Sequence, residues 1–434
     1  MSATPLHAVP HLTTAATGPL VPFEERIIGQ AAQTEAWFRD QWKQTPAPFY
    51  ASVDLRHAGF KLAPVDTNLF PAGFNNLNPS FYPLCVQAVQ TYFERFSAIP
   101  RCVLIIPENH TRNQFYLESL ATLQKIIAQA GFEVRIGTLL PEITEATELN
   151  LDSGTTLTLE PLQRQGDKVV VEGFSPCTVL LNNDLSTGLP EILEGISQPI
   201  LPPPELGWGH RLKSTHFRHY AGVAREFASV IDIDPWLIDP LFRNCGEVDF
   251  ARGEGQPCLT TNIDTLLAEV QRKYDEYGID DAPFAMVKAD SGTYGMGVMT
   301  VHSSADVTDL NRKQRTRMAK TKEGVAIRNV IIQEGVYTHE TWGEAGNVAE
   351  PVVYLLDHHV VGGFYRVHKD RSHNENLNSP GMRFEPLAFA ESCIAPAVDD
   401  PAGAAQNRFY VYGVVARLAD LAAARELEEH KTTA

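Results

Sequence analysis

Met286-Val287-Lys288-Ala289-Asp290-Ser291-Gly292-Thr293-Tyr294-Gly295-Met296-Gly297-Val298 is the stretch that most narrows the choice of fold. An apolar strand ends at Lys288 and runs into a loop that holds three glycines within six residues. Glycine permits positive φ and has no side chain, so such a loop can bring backbone N–H groups close to phosphate oxygens. The spacing is neither G-x-x-x-x-G-K-[ST] nor G-x-G-x-x-G. A strand, a glycine loop and a strand also form ordinary hairpins, and that alternative stays open.

A second stretch, VIIQEGV (Val330–Val336), supports nucleotide binding. It is an apolar strand that ends in Gln333-Glu334-Gly335, which suits a linker presenting backbone groups and a carboxylate to a purine and a ribose. The segment GGFYRVH follows at 362–368 and places Arg366 after this hinge. This order of lysine strand, glycine loop and hinge resembles that of ATP-grasp enzymes, and the resemblance implies a nucleoside-phosphate site in which Arg366 reaches the transferred phosphoryl group.

The resemblance to ATP-grasp enzymes also implies metal ligands, an Asp followed by an acidic-x-Asn pair, and a matching pattern lies in the extended stretch near the start of the chain. Asp54 is followed by Asp66-Thr67-Asn68. Two carboxylates and an amide oxygen are hard ligands, and Mg²⁺ that bridges phosphates uses one or two carboxylates with other positions left to water and substrate. Aspartate and asparagine also cap turns, so a structural role for them is an equal alternative.

The candidates for substrate binding are arginines and asparagines in loops and at strand ends. Arg112 follows a strand over 101–108 and precedes a helix, where open α/β sheets bind ligands. Arg56 and Arg112 can each bind a carboxylate in bidentate fashion, although such arginines more often form surface salt bridges. Asn376 and Asn378 lie in a loop whose Asn, Pro and Gly content also suits an ordinary turn.

Composition and pattern set the broad class. The 434 residues include 36 Lys and Arg against 53 Asp and Glu, a formal net charge of −17, which excludes a nucleic-acid binder that works by bulk charge. No run of 18 apolar residues occurs, so we predict no membrane span. The six cysteines are scattered, which predicts reduced thiols in a cytoplasmic protein. Helices alternating with β-branched runs over 101–184 predict an α/β fold with parallel strand pairs.

The chain resembles, over most of its length, a small bacterial family of glutamate–cysteine ligases with ATP-grasp character. The motifs that carry the resemblance are VDTNLFPAGFNN, HRLKSTHF, VKADSGTYGMGV, VIIQEGV, EPVVYLL, GGFYRVH and ENLNSPG. Ordinary ATP-grasp enzymes carry their metal-binding carboxylates near the C-terminus, whereas the matching residues here lie near the start. The resemblance thus implies an α/β (α+β), glutathione-synthetase-like ATP-grasp fold that is circularly permuted and has an N-terminal α/β substrate domain.

The resemblance also implies a function and a site. The reaction would be ATP-dependent ligation of L-glutamate, through an acyl phosphate of its γ-carboxylate, to L-cysteine in the first step of glutathione biosynthesis. The alternatives are another ATP-grasp amino-acid ligase, such as glutathione synthetase, or an inactive nucleotide-binding protein. Neither nucleic acid nor membrane is expected as a partner, and the oligomeric state is open. The implied site comprises catalytic Arg366 and Lys288; ATP contacts at Lys213, Lys288, Gly292, Thr293, Tyr294, Gly295, Gly297, Gln333, Glu334, Gly335 and Val336; Mg²⁺ ligands Asp54, Asp66 and Asn68; and substrate contacts at Arg56, Arg112, Asn376 and Asn378.

The predicted organisation has five segments, with Pro202–Pro204 as a boundary marker. Whether Glu350 and Glu375 are metal ligands stays open. The segments are residues 1–45, an arm and helix; 46–80, an extended segment that supplies metal ligands to the core; 81–210, an α/β substrate-binding domain; 211–330, the first ATP-grasp subdomain with the glycine-rich loop; and 331–434, the second subdomain with a closing helix.

Overall fold

The structure, a computed structural model, describes residues 20–96, 101–246, 248–250, 252–292, 298–319, 327–387 and 408–433. The α-helices are α1 (Pro22–Gly29), α2 (Ala31–Gln44), α3 (Tyr82–Glu94), α4 (Gln114–Gln129), α5 (Lys213–Ile231), α6 (Gln256–Tyr277), α7 (Ala305–Thr308), α8 (Arg312–Ala319) and α9 (Arg408–Thr433). The β-strands are β1 (Tyr50–His57), β2 (Leu62–Asn68), β3 (Cys102–Pro107), β4 (Glu133–Thr138), β5 (Thr147–Asn150), β6 (Thr156–Pro161), β7 (Gln163–Gln165), β8 (Lys168–Val170), β9 (Thr178–Asn182), β10 (Ile200–Leu201), β11 (Phe242–Cys245), β12 (Ala285–Ala289), β13 (Met299–Val301), β14 (Val330–Glu334), β15 (Thr341–Trp342), β16 (Asn347–Leu356), β17 (His359–His368) and β18 (Arg383–Leu387).

The long antiparallel sheet has the strand order β18-β17-β16-β1-β2, and β15 also pairs with β16. Strands from the start of the chain therefore pair with strands near its end, so that Asp54 of β1 lies opposite Val352 of β16. This pairing is consistent with the predicted circular permutation, which stays a prediction. The polar residues of the N-terminal segment thereby reach the same sheet as Arg366.

Helix α9 packs on one face of the long sheet. Ala51, Val53 and Leu55 alternate along β1 with polar residues and belong to the same buried core as α9. The helix is buried around most of its circumference, which explains why its sequence is apolar on nearly all sides. The polar residues of β1 consequently face the opposite side of the sheet, where the cavity described below lies.

The parallel sheet has the order β10-β9-β3-β4-β6-β5, with every pair parallel except β5 and β6. One face of this sheet, with Val103 and Ile105, shares a buried core with α3 and α4, and the other face, with Leu104 and Ile106, belongs to the core that contains α9. The carboxyl ends of β3 and β9 lie side by side, with Pro107 opposite Asn182. Ligands bind at such ends in open α/β sheets, so this edge is the part of the sheet that can contribute to a site.

The small antiparallel sheet has the order β11-β14-β12-β13 and packs against α6. Lys288 of β12 lies opposite Ile331 of β14, so the lysine strand and the hinge strand are direct neighbours. With the parallel and antiparallel sheets together, the predicted α/β fold class is confirmed. The segment boundaries remain predictions. None of the helices in the described ranges combines the length and the apolar character needed to cross a bilayer.

Two local predictions were wrong. The sequence pattern favours one helix over 24–44, but α1 and α2 meet at Gln30, whose φ of −105° and ψ of 20° leave the helical region directly after Gly29. The cysteines were expected to be free, yet Cys245 of β11 and Cys258 of α6 form a disulfide with Cα atoms 6.3 Å apart. Their separation of 13 residues matches no redox or metal-binding motif, so the pair could not be predicted from the sequence. It becomes evident only because β11 approaches α6 in the fold.

Candidate active site

A cavity of about 460 Å³ lies where the three sheets meet. It is lined by the polar face of the long sheet, by β12 and β14 of the small sheet, and by the carboxyl ends of β3 and β9. That volume is within the range of sites that bury small ligands. The sequence-predicted residues that line it are Asp54, Arg56, Asp66, Asn68, Lys213, Lys288, Gly292, Gln333, Glu334, Val336, Arg366, Asn376 and Asn378.

Strand register brings carboxylates and a cation together on one face of the long sheet. Asp54 lies opposite Asp66 in the β1–β2 pair, and Glu350 lies opposite Arg366 in the β16–β17 pair. Side chains two residues apart along a strand share a face. The register therefore builds one charged patch from residues that are up to about 300 positions apart in sequence.

Arg366 holds the centre of this patch. Its Nη1 donates to Asp54 Oδ2 at 2.8 Å and to Glu350 Oε1 at 2.5 Å, and the residue is 8% exposed. Burial raises the pKa of Asp54, and the nearby carboxylates of Glu350 and Asp66 raise it further against the opposing effect of Arg366. Crowded carboxylates of this kind are stabilised by an additional cation.

Two lysines flank Asp66. Lys213 Nζ lies 2.8 Å from Asp66 Oδ1 and 4.0 Å from the ring centroid of Trp208. Burial alone would raise the pKa of Asp66, but Lys213 and Lys288 lower it to about 2. Asp66 is therefore ionised at neutral pH. The Oδ1 of Asn68 accepts from Phe70 N at 3.0 Å, so the turn-capping role considered for this residue is present.

Lys288 connects the glycine-loop strand to the hinge. Its Nζ donates to Gln333 Oε1 at 2.7 Å and to the carbonyl oxygen of Val65 at 3.0 Å. Burial lowers the pKa of Lys288 to about 8. Among the described residues, Gln333 Nε2 and Arg366 Nε are buried donors without a hydrogen-bond partner, and both residues line the cavity. Buried donors are normally paired, so these two are suited to an acceptor-rich ligand such as a nucleotide.

The side chain of Glu334 corrects one prediction. Its carboxylate accepts from Lys61 Nζ at 2.8 Å, from Leu241 N at 2.9 Å and from Trp236 Nε1 at 3.1 Å. The carboxylate is thus held by protein donors. The sequence pattern suggests that it faces a ribose, and in the structure it does not. Glu334 still contributes to the cavity lining. A Cβ at Gly335 would come within 2.2 Å of the Phe284 ring, which explains why the hinge has glycine there.

The substrate candidates separate into two groups. Arg56 is buried, donating from Nε to Glu350 Oε2 at 3.1 Å and from Nη1 to Val336 O at 3.2 Å. Asn376 and Asn378 line the cavity. Arg112, in contrast, is exposed and does not line the cavity. The turn after β3 brings its neighbours in the chain to the cavity instead.

Four predicted contacts in the glycine-rich loop, Thr293, Tyr294, Gly295 and Gly297, lie outside the described residues. Of the two undecided carboxylates, Glu350 engages both Arg56 and Arg366, whereas Glu375 accepts from Arg371 Nη1 and Ser372 N in its own loop.

Sequence reasoning missed the cavity residues Trp208, Gly73, Tyr354, Phe364 and Phe384. The motifs VDTNLFPAGFNN, EPVVYLL and GGFYRVH do contain Gly73, Tyr354 and Phe364, but nothing in their sequence marks these three as site residues.

Comparison with protein-family models matches residues 24–427 to the family described as Glutamate-cysteine ligase. Among solved structures, a protein from Methylobacillus flagellatus KT assigned as a gamma-glutamylcysteine synthetase is 56% identical, with a TM-score of 0.88 over 97% of this chain and 99% of that chain. A glutathione synthetase-like effector, GSS30, from Globodera pallida is 9% identical over 83% of this chain and 79% of that chain, with a TM-score of 0.35. The second similarity is too remote to support an argument. A comparison with curated proteins found no match.

Proposed function

Because the chain belongs to the glutamate–cysteine ligase family, we propose that the cavity joins the γ-carboxylate of L-glutamate to the amino group of L-cysteine with cleavage of ATP. The protein is an ATP-dependent carbon–nitrogen ligase, and γ-glutamylcysteine formation is the first step of glutathione biosynthesis. The observation that carries the residue assignment is the convergence of Lys213, Lys288 and Arg366 on one cavity that also holds Asp54 and Asp66.

The chemistry needs charge stabilisation and alignment rather than a protein nucleophile. The γ-phosphoryl group of ATP is transferred to a γ-carboxylate oxygen of glutamate, and ADP leaves. The cysteine amine then attacks the acyl carbon, phosphate departs, and the amine loses a proton. Phosphoryl transfer is catalysed mainly by positioning and by electrostatic stabilisation. Arg366 and Lys288 supply fixed positive charge there, and Arg366 Nε, which has no hydrogen-bond partner in the described part of the chain, can donate to a phosphoryl oxygen.

A divalent cation suits this cavity, and we assign Mg²⁺ to Asp54, Asp66 and Asn68. The support is the donor set, which is all oxygen, and the raised pKa of Asp54, which reflects burial and neighbouring carboxylates. Mg²⁺ would neutralise phosphate oxygens when bound there. Glu350 is already shared by two arginines, so we assign it to holding Arg56 and Arg366 in place.

The test is phosphate release from the purified protein with ATP and Mg²⁺. Glutamate alone, cysteine alone, both together, and γ-glutamylcysteine with glycine are compared, and product masses are read by mass spectrometry. We expect release only with glutamate plus cysteine, together with γ-glutamylcysteine. Release confined to the glycine mixture would instead indicate glutathione synthetase, and silence in every mixture would favour the inactive nucleotide-binding alternative.

Replacing Lys288 with alanine is expected to weaken ATP binding by about tenfold to a hundredfold, which corresponds to the loss of one charge-assisted contact. Calorimetric titration with ATP measures the dissociation constant directly. Lys273→Ala is the matched control, because Lys273 of α6 pairs with Asp234 and with Glu276, and none of the three lines the cavity. An unchanged ATP affinity in Lys288→Ala would exclude a phosphate contact.

Replacing Asp66 with asparagine is expected to raise the Mg²⁺ concentration that gives half-maximal activity by about tenfold or more, since a hard anionic ligand becomes neutral. The measurement is a Mg²⁺ titration at saturating ATP, glutamate and cysteine. Asp264→Asn, an exposed position on α6, makes the same chemical change elsewhere. A superimposable titration for wild type and Asp66→Asn would remove Asp66 from the metal site.

A cytoplasmic location remains a prediction. It is supported by the substrates, since ATP and reduced cysteine are both available in that compartment. The oligomeric state is left to measurement.

A further inference from the structure

An uncharged recess adjoins the charged patch of the cavity. Gly73, Tyr354, Phe364 and Phe384 form its walls, and we call it the aromatic recess. The ring centroids of Tyr354 and Phe364 are 5.5 Å apart, and those of Phe364 and Phe384 are 4.9 Å apart. None of the wall residues carries a charge, although Phe384 lies directly opposite Arg366 in the β17–β18 register, so the recess borders the charged patch at this point.

The backbone at Gly73 closes the recess. Gly73 has a φ of +99°, and a Cβ added to it would lie 2.9 Å from Tyr354 Oη and 3.4 Å from Phe364 Cε1. Any side chain at this position would therefore meet the aromatic wall. Glycine therefore permits both the close approach of this loop to the aromatic rings and the left-handed backbone conformation.

The loop that carries Gly73 is held by the parallel-sheet half of the molecule. Gly73 N donates to Ser119 Oγ of α4 at 2.7 Å, and Asn182 Nδ2 of β9 donates to Pro71 O at 2.9 Å. Tyr354 Oη donates to the carbonyl oxygen of Ala72 from the long sheet. Anchoring from both sheets fixes the shape of the recess, as a selective subsite requires.

The aromatic recess lies beside the proposed phosphoryl-transfer position. Phe364 and Arg366 are on the same face of β17 and are separated by about 7 Å along the strand. An amino acid with its side chain in the recess can thus present its amine near a group held by Arg366. Asn75 also lines the cavity and has a buried Oδ1 that lacks a hydrogen-bond partner among the described residues, so it can accept from an ammonium group.

We propose that the aromatic recess binds the side chain of the acceptor amino acid, a small neutral thiol, while the donor occupies the charged part of the cavity. The proposal rests on the proposed function. Glutamate carries three ionised groups, which walls without charge cannot compensate. The cysteine side chain is neutral at pH 7, and sulfur makes favourable contacts with aromatic rings. The recess is therefore complementary to the acceptor and not to the donor.

The test is Phe384→Ala, because Phe384 is only partly buried on the edge strand β18 and its truncation leaves the core intact. We expect the KM for cysteine to rise about tenfold, the KM values for glutamate and ATP to stay within twofold, and the kcat/KM of L-methionine relative to cysteine to increase. Phe364→Leu is a second variant with the same expected direction. Tyr277→Ala truncates an aromatic ring that does not line the cavity and should leave all KM values unchanged.

Calorimetric binding of L-2-aminobutyrate, an isostere of cysteine, gives a readout without turnover. Weaker binding in both recess variants supports the proposal. A rise in the KM for glutamate alone, unchanged KM values for all substrates, or equal 2-aminobutyrate binding in wild type and variants would overturn it. A wild-type enzyme that makes no γ-glutamylcysteine but whose 2-aminobutyrate binding depends on Phe384 would refute the proposed ligation while leaving the recess as an amino-acid subsite.

Discussion

Replacing Arg366 with alanine is expected to lower kcat by about a thousandfold, while the dissociation constant for ATP changes by less than about fivefold. An arginine that stabilises a transferring phosphoryl group is worth roughly 10³ to 10⁵ in kcat. Its charge is needed most as negative charge develops, so the loss should appear in turnover and not in ground-state binding. Steady-state kinetics and ATP calorimetry on the same preparation measure the two quantities.

Folding must be checked in this variant, because Asp54 and Glu350 lose their shared partner. Arg366→Lys keeps one positive charge but loses the fork geometry, so it should recover only part of the activity. Arg218→Ala, which removes a surface arginine paired with Glu429, controls for the change of charge. Equal losses of kcat and ATP affinity in a folded Arg366→Ala protein would contradict the assignment of Arg366 to turnover rather than to ground-state ATP binding.

Replacing Glu426 with glutamine is expected to lower the free energy of unfolding by about 3–5 kcal/mol, the usual effect of leaving one buried charge unpaired. Glu426 is fully buried on α9, and Arg211 Nε lies 3.0 and 3.2 Å from its two carboxylate oxygens. Arg211 Nη1 also donates to Thr67 O at 2.7 Å, so the pair fixes the backbone between Asp66 and Asn68. Denaturant unfolding of both proteins at pH 7 measures the difference.

The effect of this substitution should depend on pH. Burial alone would raise the pKa of Glu426, but Arg211 and His216 lower it from 4.5 to about 2. A carboxylate with a lowered pKa contributes stability that is complete above its unfolded value and is lost as pH falls toward the folded value. The difference between wild type and Glu426→Gln should therefore shrink between about pH 4.5 and pH 2.

The control for Glu426→Gln is Glu226→Gln. Glu226 of α5 pairs with Arg425 of α9 at 2.6 Å, which links the same two helices but at the surface. Exposed pairs contribute about 0 to 1 kcal/mol, so this variant should unfold nearly as wild type does. Similar losses of unfolding free energy in Glu426→Gln and Glu226→Gln would show that the buried pair stabilises the protein no more than the surface pair does.

Sequence reasoning found the parts of the site whose members lie in short continuous stretches. Lys288 and Gln333 ended apolar strands beside recognisable loops, and both line the cavity. Asp54 and Asp66 were singled out by their match to the metal-ligand pattern of ATP-grasp enzymes, and the β1–β2 register places them opposite each other. The α/β class followed from alternating helices and β-branched strands, because local periodicity carries that information.

Interactions between distant segments were beyond the sequence. Glu334 was expected to face a nucleotide, but its partner Lys61 is 273 residues away and nothing local shows which way the carboxylate turns. The aromatic recess combines Gly73 with residues of three C-terminal strands, and only strand register brings those side chains to one face. Glu350 stayed undecided for the same reason, since its role depends on lying opposite Arg366.

The pairing of β1 with β16 also has a consequence for biosynthesis. β16 follows β1 by about 300 residues, so at roughly 5–20 residues per second the ribosome takes about 15–60 s to make the strand that β1 needs. During that interval β1 and β2 form at most a two-stranded hairpin, which is marginally stable in water. The parallel sheet, all of whose strands precede residue 202, can form first. Nascent chains arrested before β16 should therefore contain a protease-resistant parallel sheet but no assembled site for the phosphates.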